Sequence, residues 1–171
     1  MSTRALKVLL VEDNAGDARL LREMFTTERP GSIELTHLMR MSDALAHLAK
    51  GGVDIVLLDM GLPDGHGLDT VRRARAVAPD VPFIVLTGLD DEALAAEAMK
   101  EGAQDYLVKG HVDGSLLVRA MRYAAERKRA MDAVAHREEH FRSLIENVLD
   151  LIGVLSSDGV VLYASPSHER V

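Results

Sequence analysis

The chain has 171 residues, 47% hydrophobic and 27% charged, with a formal charge of −7 and no cysteine. Its length fits one full domain plus an arm or a fragment, and its composition is that of an ordered globular chain. Lack of cysteine excludes disulfides, thiolate zinc sites and thiol nucleophiles; the acidic balance argues against nucleic-acid binding; and no apolar run nears the roughly 18 residues of a membrane span.

The N-terminal MSTRALKVLLVED enters a strand-like run at once and shows no cleavable signal pattern, so a bacterial-type cytoplasmic protein is expected. Val8 to Val11 is the first apolar run, followed by Glu12-Asp13-Asn14 and a helical pattern through Ala18, Leu21, Met24 and Phe25. IELTHL at 33–38 alternates with period two and predicts an outer strand. A short helix follows, with Ser42 as its expected cap and Leu45 and Leu48 facing inward. Ile55 to Leu58 predicts a third strand and Leu68 to Ala78 a helix stopped by Pro79. Pro82 to Leu86 predicts a fourth strand, Glu92 to Glu101 a helix ended by Gly102, and Tyr106 to Val108 a fifth strand; a fifth helix begins near Ser115.

Strands that alternate with helices and read as unbroken apolar runs indicate a parallel sheet covered on both faces. In such open sheets the ligand site lies at the carboxyl ends of the strands. That rule selects Glu12 and Asp13 after the first strand, Asp59 after the third, Thr87-Gly88 after the fourth and Lys109 after the fifth. Three carboxylates in one cleft repel unless a cation joins them, and hard oxygen donors plus water suit Mg²⁺, which often bridges to phosphate. Lys109 adds a positive charge, and Thr87 with Gly88 offers a hydroxyl and accessible N–H groups. The set suits a phosphoryl group held on a carboxylate, with Asp59 as the nucleophile.

VLLVEDN at 8–14, IVLLDMGLPDGHG at 55–67, IVLTG at 84–88 and GAQDYLVKG at 102–110 resemble the receiver (response-regulator) domain of two-component signalling. The resemblance runs from residue 5 to about 125. It implies a flavodoxin-like, doubly wound five-stranded sheet of order 2-1-3-4-5, phosphorylated on Asp59 by a histidine kinase or phosphotransferase. It places Mg²⁺ on Asp13, Asp59 and the backbone carbonyl of Gly61, with Glu12 acting through water. It also makes Thr87 and Tyr106 a coupled switch, the hydroxyl moving toward the phosphoryl group as the ring turns inward. Two positions depart from the pattern. Gly110 stands where receivers usually carry a proline, so a trans bond is expected. Gly61 and Leu89 replace polar groups that orient a hydrolytic water, so a slowly self-dephosphorylating aspartyl phosphate is expected.

Beyond the receiver the pattern changes. Leu117, Ala120, Ala124, Arg127, Met131, Val134, Glu138, Phe141, Ile145 and Val148 follow steps of three and four residues, a heptad seam expected to join two chains in a parallel coiled coil. The final FRSLIENVLDLIGVLSSDGVVLYASPS resembles the opening of a PAS sensor domain, with strands over Leu151 to Leu155 and Val160 to Ala164. The expected organisation is a receiver at 1–125, a helical linker at 126–140 and a PAS fragment at 141–171.

Other functions fit less well. A phosphatase of the haloacid dehalogenase type needs a second acid two residues after the nucleophile, where Gly61 stands. A DNA-binding regulator lacks a helix-turn-helix candidate after residue 115. His136 and His140 lack the proline-containing surroundings of a phosphoacceptor histidine. The expected function is a phosphorylation-controlled switch rather than a turnover enzyme.

Overall fold

The computed structural model describes residues 4–28, 30–88, 92–111, 113–147, 153–158 and 160–164. In chain order the elements are β1 (Leu6–Val11), α1 (Ala15–Glu28), β2 (Ile33–Leu38), α2 (Met41–Leu48), β3 (Ile55–Asp59), β4 (Gly61–Leu62), β5 (Gly65–His66), α3 (Leu68–Val77), β6 (Phe83–Thr87), α4 (Glu92–Lys100), β7 (Asp105–Val108), α5 (Gly114–Asn147), β8 (Gly153–Leu155) and β9 (Val161–Ala164). They fall into two compact units, Met1–Lys128 and Arg129–Val171.

The first unit is built on a five-stranded sheet of order β2-β1-β3-β6-β7, all of whose pairings are parallel. The short β4–β5 hairpin shifts the numbering, so the spatial order of the five main strands is the expected 2-1-3-4-5. Alternate side chains of each central strand feed opposite faces. Leu9, Val11, Val56, Leu58, Phe83 and Val85 pack beneath α2, α3 and α4. Val8, Leu10, Ile55, Leu57, Ile84 and Leu86 pack beneath α1 and α5. Burial of each of these side chains contributes about 1.5–3 kcal/mol, which is why β3 and β6 carry no exposed residue.

Helices α1 and α5 are capped at their starts by short polar side chains. Asn14 Oδ1 accepts from the N–H of Gly16 at 2.8 Å and of Asp17 at 3.3 Å. Asp113 Oδ1 accepts from the N–H of Ser115 at 2.8 Å and of Leu116 at 3.3 Å. The expected cap of α2 is corrected. Helix α2 begins at Met41, its cap position is Arg40 and no side chain there makes a cap bond. Instead Asp64, in the turn between β4 and β5, accepts from the N–H of Met41 at 2.7 Å and of Ser42 at 2.9 Å. Ser42 lies inside the helix, two residues past the cap position.

In the second unit, α5 runs on to Asn147, and β8 and β9 form an antiparallel hairpin with Gly153 opposite Ala164 and Val154 opposite Tyr163. Ser156 closes its turn: its N–H donates to the Val160 carbonyl at 2.8 Å, and its Oγ accepts from the Val160 N–H at 3.1 Å. Leu151 and Ile152, expected in the first of these strands, lie outside the described residues. No helix of the described residues is long and apolar enough to cross a membrane.

Candidate functional site

The ends of β1 and β3 are neighbours, Val11 pairing with Leu58, so the residues that follow each strand meet in one cleft. One carboxylate oxygen from each of Glu12, Asp13 and Asp59 lies within 4.8 Å of the others. Glu12 is fully buried, and Asp59 is 7% exposed. Lys109 enters from the far side of β6, its backbone fixed by donation from its N–H to the Thr87 carbonyl at 2.8 Å. Its Nζ lies 2.7 Å from Glu12 Oε2, 3.0 Å from Asp59 Oδ2 and 3.3 Å from Asp17 Oδ2. The expected conjunction of acids and amine is therefore present.

Burial pushes the Glu12 carboxyl above its ordinary value, against the opposing pull of Lys109 and of the Asn14 N–H, which donates to Oε1 at 3.0 Å. Burial acts on Lys109 in the opposite sense to its carboxylates, and Glu12 and Asp59 prevail, holding the ammonium charged.

Thr87 is buried, and its hydroxyl donates to the Leu107 carbonyl at 3.4 Å. Tyr106 is 37% exposed and pairs across the sheet with Val85, two residues before Thr87. Gly88 is exposed beside the cleft, and Leu89 lies outside the described residues. Gly61 donates its N–H to Asp59 Oδ1 at 3.3 Å. A Cβ at residue 61 would sit 3.8 Å from Asp59 Oδ2, an ordinary contact, so neither space nor backbone demands glycine there. No described peptide bond is cis, and Gly110 takes a φ of 83°.

The donor set fits a hard divalent cation. Three carboxylates converge, and buried Glu12 Oε2 has the ammonium as its charge partner but no hydrogen-bond donor in good geometry. Mg²⁺ takes one or two carboxylates and keeps several waters; Asp13, half-buried at the cleft's edge, leaves room for them.

The profile of the response regulator receiver domain matches residues 8–122. The chain belongs to this family. Among curated relatives it is 40% identical over 108 residues to the methanogenesis regulatory protein FilR1 of Methanothrix harundinacea, covering 61% of this chain and 24% of that one. It is 34% identical over 104 residues to the swarming motility regulation protein RssB of Serratia marcescens, covering 61% of this chain and 46% of that one. The chain thus aligns with less than half the length of either relative. Among solved structures, the signal receiver domain of an HD domain-containing protein from Pseudomonas fluorescens superposes with a TM-score of 0.68 at 29% identity, covering 78% of this chain and 96% of that one. A response regulator receiver domain protein from Clostridium thermocellum gives 0.66 at 27% identity, with 74% and 98% covered. Receiver domains accept phosphoryl groups from histidine kinases and generally bind Mg²⁺ at an acidic pocket, and an acidic cluster of that kind is what Glu12, Asp13 and Asp59 form.

Two receiver residues escaped the sequence reading. Asp17 reads as an ordinary first-turn acid of α1, yet it reaches Lys109. Asp64 reads as a turn residue, yet it fastens the loop behind Asp59 to α2.

The seam expected to join two chains is corrected in its first half. Leu117 and Ala124 are buried beneath the sheet with Val118, Met121 and Ala125, and Ala120 packs half-buried beside them. Those faces are occupied within one chain, because this stretch of α5 is a core helix of the receiver. Met131 and Val134 are 61% and 63% exposed. The Phe141 side chain lies outside the described part of the structure.

Proposed function

We propose that this receiver is a phosphorylation-controlled switch acting in the cytoplasm, phosphorylated on Asp59 with Mg²⁺ by a histidine kinase or phosphotransferase. The observation that carries the reading is the contact of Lys109 with both Glu12 and Asp59 beside the half-buried Asp13. An Asp59 carboxylate oxygen attacks phosphorus, the bond from phosphorus to the donor nitrogen breaks, and the electron pair leaves with the donor imidazole. Lys109 and the Thr87 hydroxyl are placed to meet the incoming oxygens, and Gly88 offers backbone donors. Glu12, Asp13, Asp59 and the Gly61 carbonyl would hold the metal, which neutralises charge when bound. The chain catalyses only its own phosphorylation and dephosphorylation.

Thr87 and Tyr106 form the switch in this reading. The outward ring and the hydroxyl turned to the Leu107 carbonyl correspond to the resting member of two packings, and a new dianionic group biases the other. The signal leaves through α5. Its exposed Met131 and Val134 begin a parallel homodimeric coiled coil, and the β8–β9 hairpin that follows supports a PAS opening.

Intact mass after incubation with acetyl phosphate tests the reading. One phosphoryl group is expected with Mg²⁺, and none without it or in Asp59→Asn. No gain in the wild type would leave an adaptor that binds without phosphorylation of its aspartate.

A further inference from the structure

Lys109 has three carboxylate partners from three elements: Glu12 after β1 at 2.7 Å, Asp59 of β3 at 3.0 Å and Asp17 in the first turn of α1 at 3.3 Å. An ammonium carries three hydrogens and no more. Three carboxylates already compete for that one ammonium, and a phosphoryl oxygen arriving on Asp59 must displace a present partner.

The three partners are not equal. Glu12 is fully buried, and stripping its charge partner would leave an uncompensated carboxylate away from water. Asp59 is itself the acceptor. Asp17 is 39% exposed and makes the longest contact, so water can replace the lysine at small cost. It is also held in place independently. Its N–H bonds to Asn14 Oδ1 at 3.3 Å, and Asn14 is tied by its own N–H to Glu12 Oε1. The backbone that carries the carboxylate is thus fixed at the mouth whether or not the lysine pairs with it.

We propose that Asp17 is a positioning residue of the phosphoryl site: it is the exposed charge partner of the Lys109 ammonium in the resting state and yields it when Asp59 is phosphorylated. This rests on the reading of Asp59 as phosphoacceptor. Two consequences follow from the charge. While Asp17 pairs with the ammonium, the Lys109 charge is partly neutralised and draws an anion into the cleft less strongly. The carboxylate itself also adds a negative charge where an anionic donor must pass. Asp17 therefore slows uptake from anionic donors, and more so the greater the donor's charge.

The test compares wild type, Asp17→Asn, Asp17→Ser and Asp17→Glu in the full chain with Mg²⁺, each with two small donors. Acetyl phosphate is a dianion near neutral pH, and phosphoramidate carries one charge fewer. In either case the phosphoryl group moves to an Asp59 oxygen, and the leaving acetate or ammonia departs with the electron pair of the broken bond. Initial rates are read by intact mass at low and high salt. Asp17→Asn and Asp17→Ser are expected to react roughly fivefold faster with acetyl phosphate. Their preference for acetyl phosphate over phosphoramidate rises, and their salt dependence flattens. Asp17→Glu restores the wild-type preference. An unchanged donor preference in both neutral variants, or an equal slowing with both donors, would overturn the placement of Asp17. No uptake by the wild type from either donor would overturn the phosphoacceptor reading itself, and the proposal with it.

Discussion

Nζ of Lys109 lies 3.0 Å from Oδ2 of Asp59, a contact between the ends of two strands, β7 and β3, that are separated in the sheet by β6. The lysine thus spans the cleft as its built-in cation. Replacing it with methionine should move two quantities in opposite directions. Mg²⁺ should bind more tightly, because a competing positive charge is gone, as isothermal titration calorimetry would show. Phosphorylation by acetyl phosphate should slow by roughly 10–100-fold, because a donor to the transferring group is lost. If both quantities fell together, the lysine would be holding the fold and not the charge balance.

Asp64 should give the chain a distinctive acid limb. The N–H groups of Ser42 and Met41 hold its carboxyl down at about 2, below the ordinary 3.8. A carboxyl depressed in the folded state stabilises above its unfolded value, and that stabilisation is lost as pH falls through the folded value. Urea unfolding of wild type and Asp64→Asn should therefore converge as pH drops from about 4 towards 2, the wild type being the more stable above that window. A constant gap across it would show that the charge of Asp64 is irrelevant to the cap.

The opening beside Asp59 makes a third expectation. A Cβ at residue 61 meets nothing closer than 3.8 Å, and Gly61→Asn is expected to fold. Its amide would stand beside the aspartyl phosphate and orient water, shortening the phosphoryl lifetime several-fold as followed by intact mass. An unchanged lifetime in a folded variant would remove glycine at this position as a reason to expect slow hydrolysis.

The self-association of α5 should depend on its exposed half. Met131→Glu with Val134→Glu places like charges on the apolar seam residues that are exposed among the described residues. Sedimentation equilibrium should show a wild-type dimer and a monomeric double variant, both with the thermal midpoint of the receiver unchanged. A dimer in both would move the interface elsewhere.

Strand cores and strand ends were legible because each depends on a local run. Ile55 to Leu58 is apolar on both faces, so its identity as a central strand follows from the residues themselves, and Asp59 stands out against it. Glu12, Asp13, Thr87 and Lys109 were legible for the same reason. The misses are tertiary. The cap of α2 comes from 23 residues downstream, and nothing around Ser42 announces it. In α5, a stripe that packs on a sheet and a stripe that packs on a second helix have the same three-and-four spacing, so Leu117 and Ala124 read equally well as either. The β4–β5 hairpin is too short to leave a periodic signal.

That borrowed cap also bears on the order in which the chain folds. Helix α2 has eight residues, well below the length at which a helix holds itself together in water. Its first two N–H groups find their acceptor only when the segment carrying Asp64 has returned across the intervening loop, at the entropic cost of closing it. The first turn of α2 and the turn behind Asp59 should therefore become ordered in one step, after β1 and β3 have paired. A nick or an insertion between them would be felt at both places, and substitutions of Asp64 would alter unfolding more than refolding.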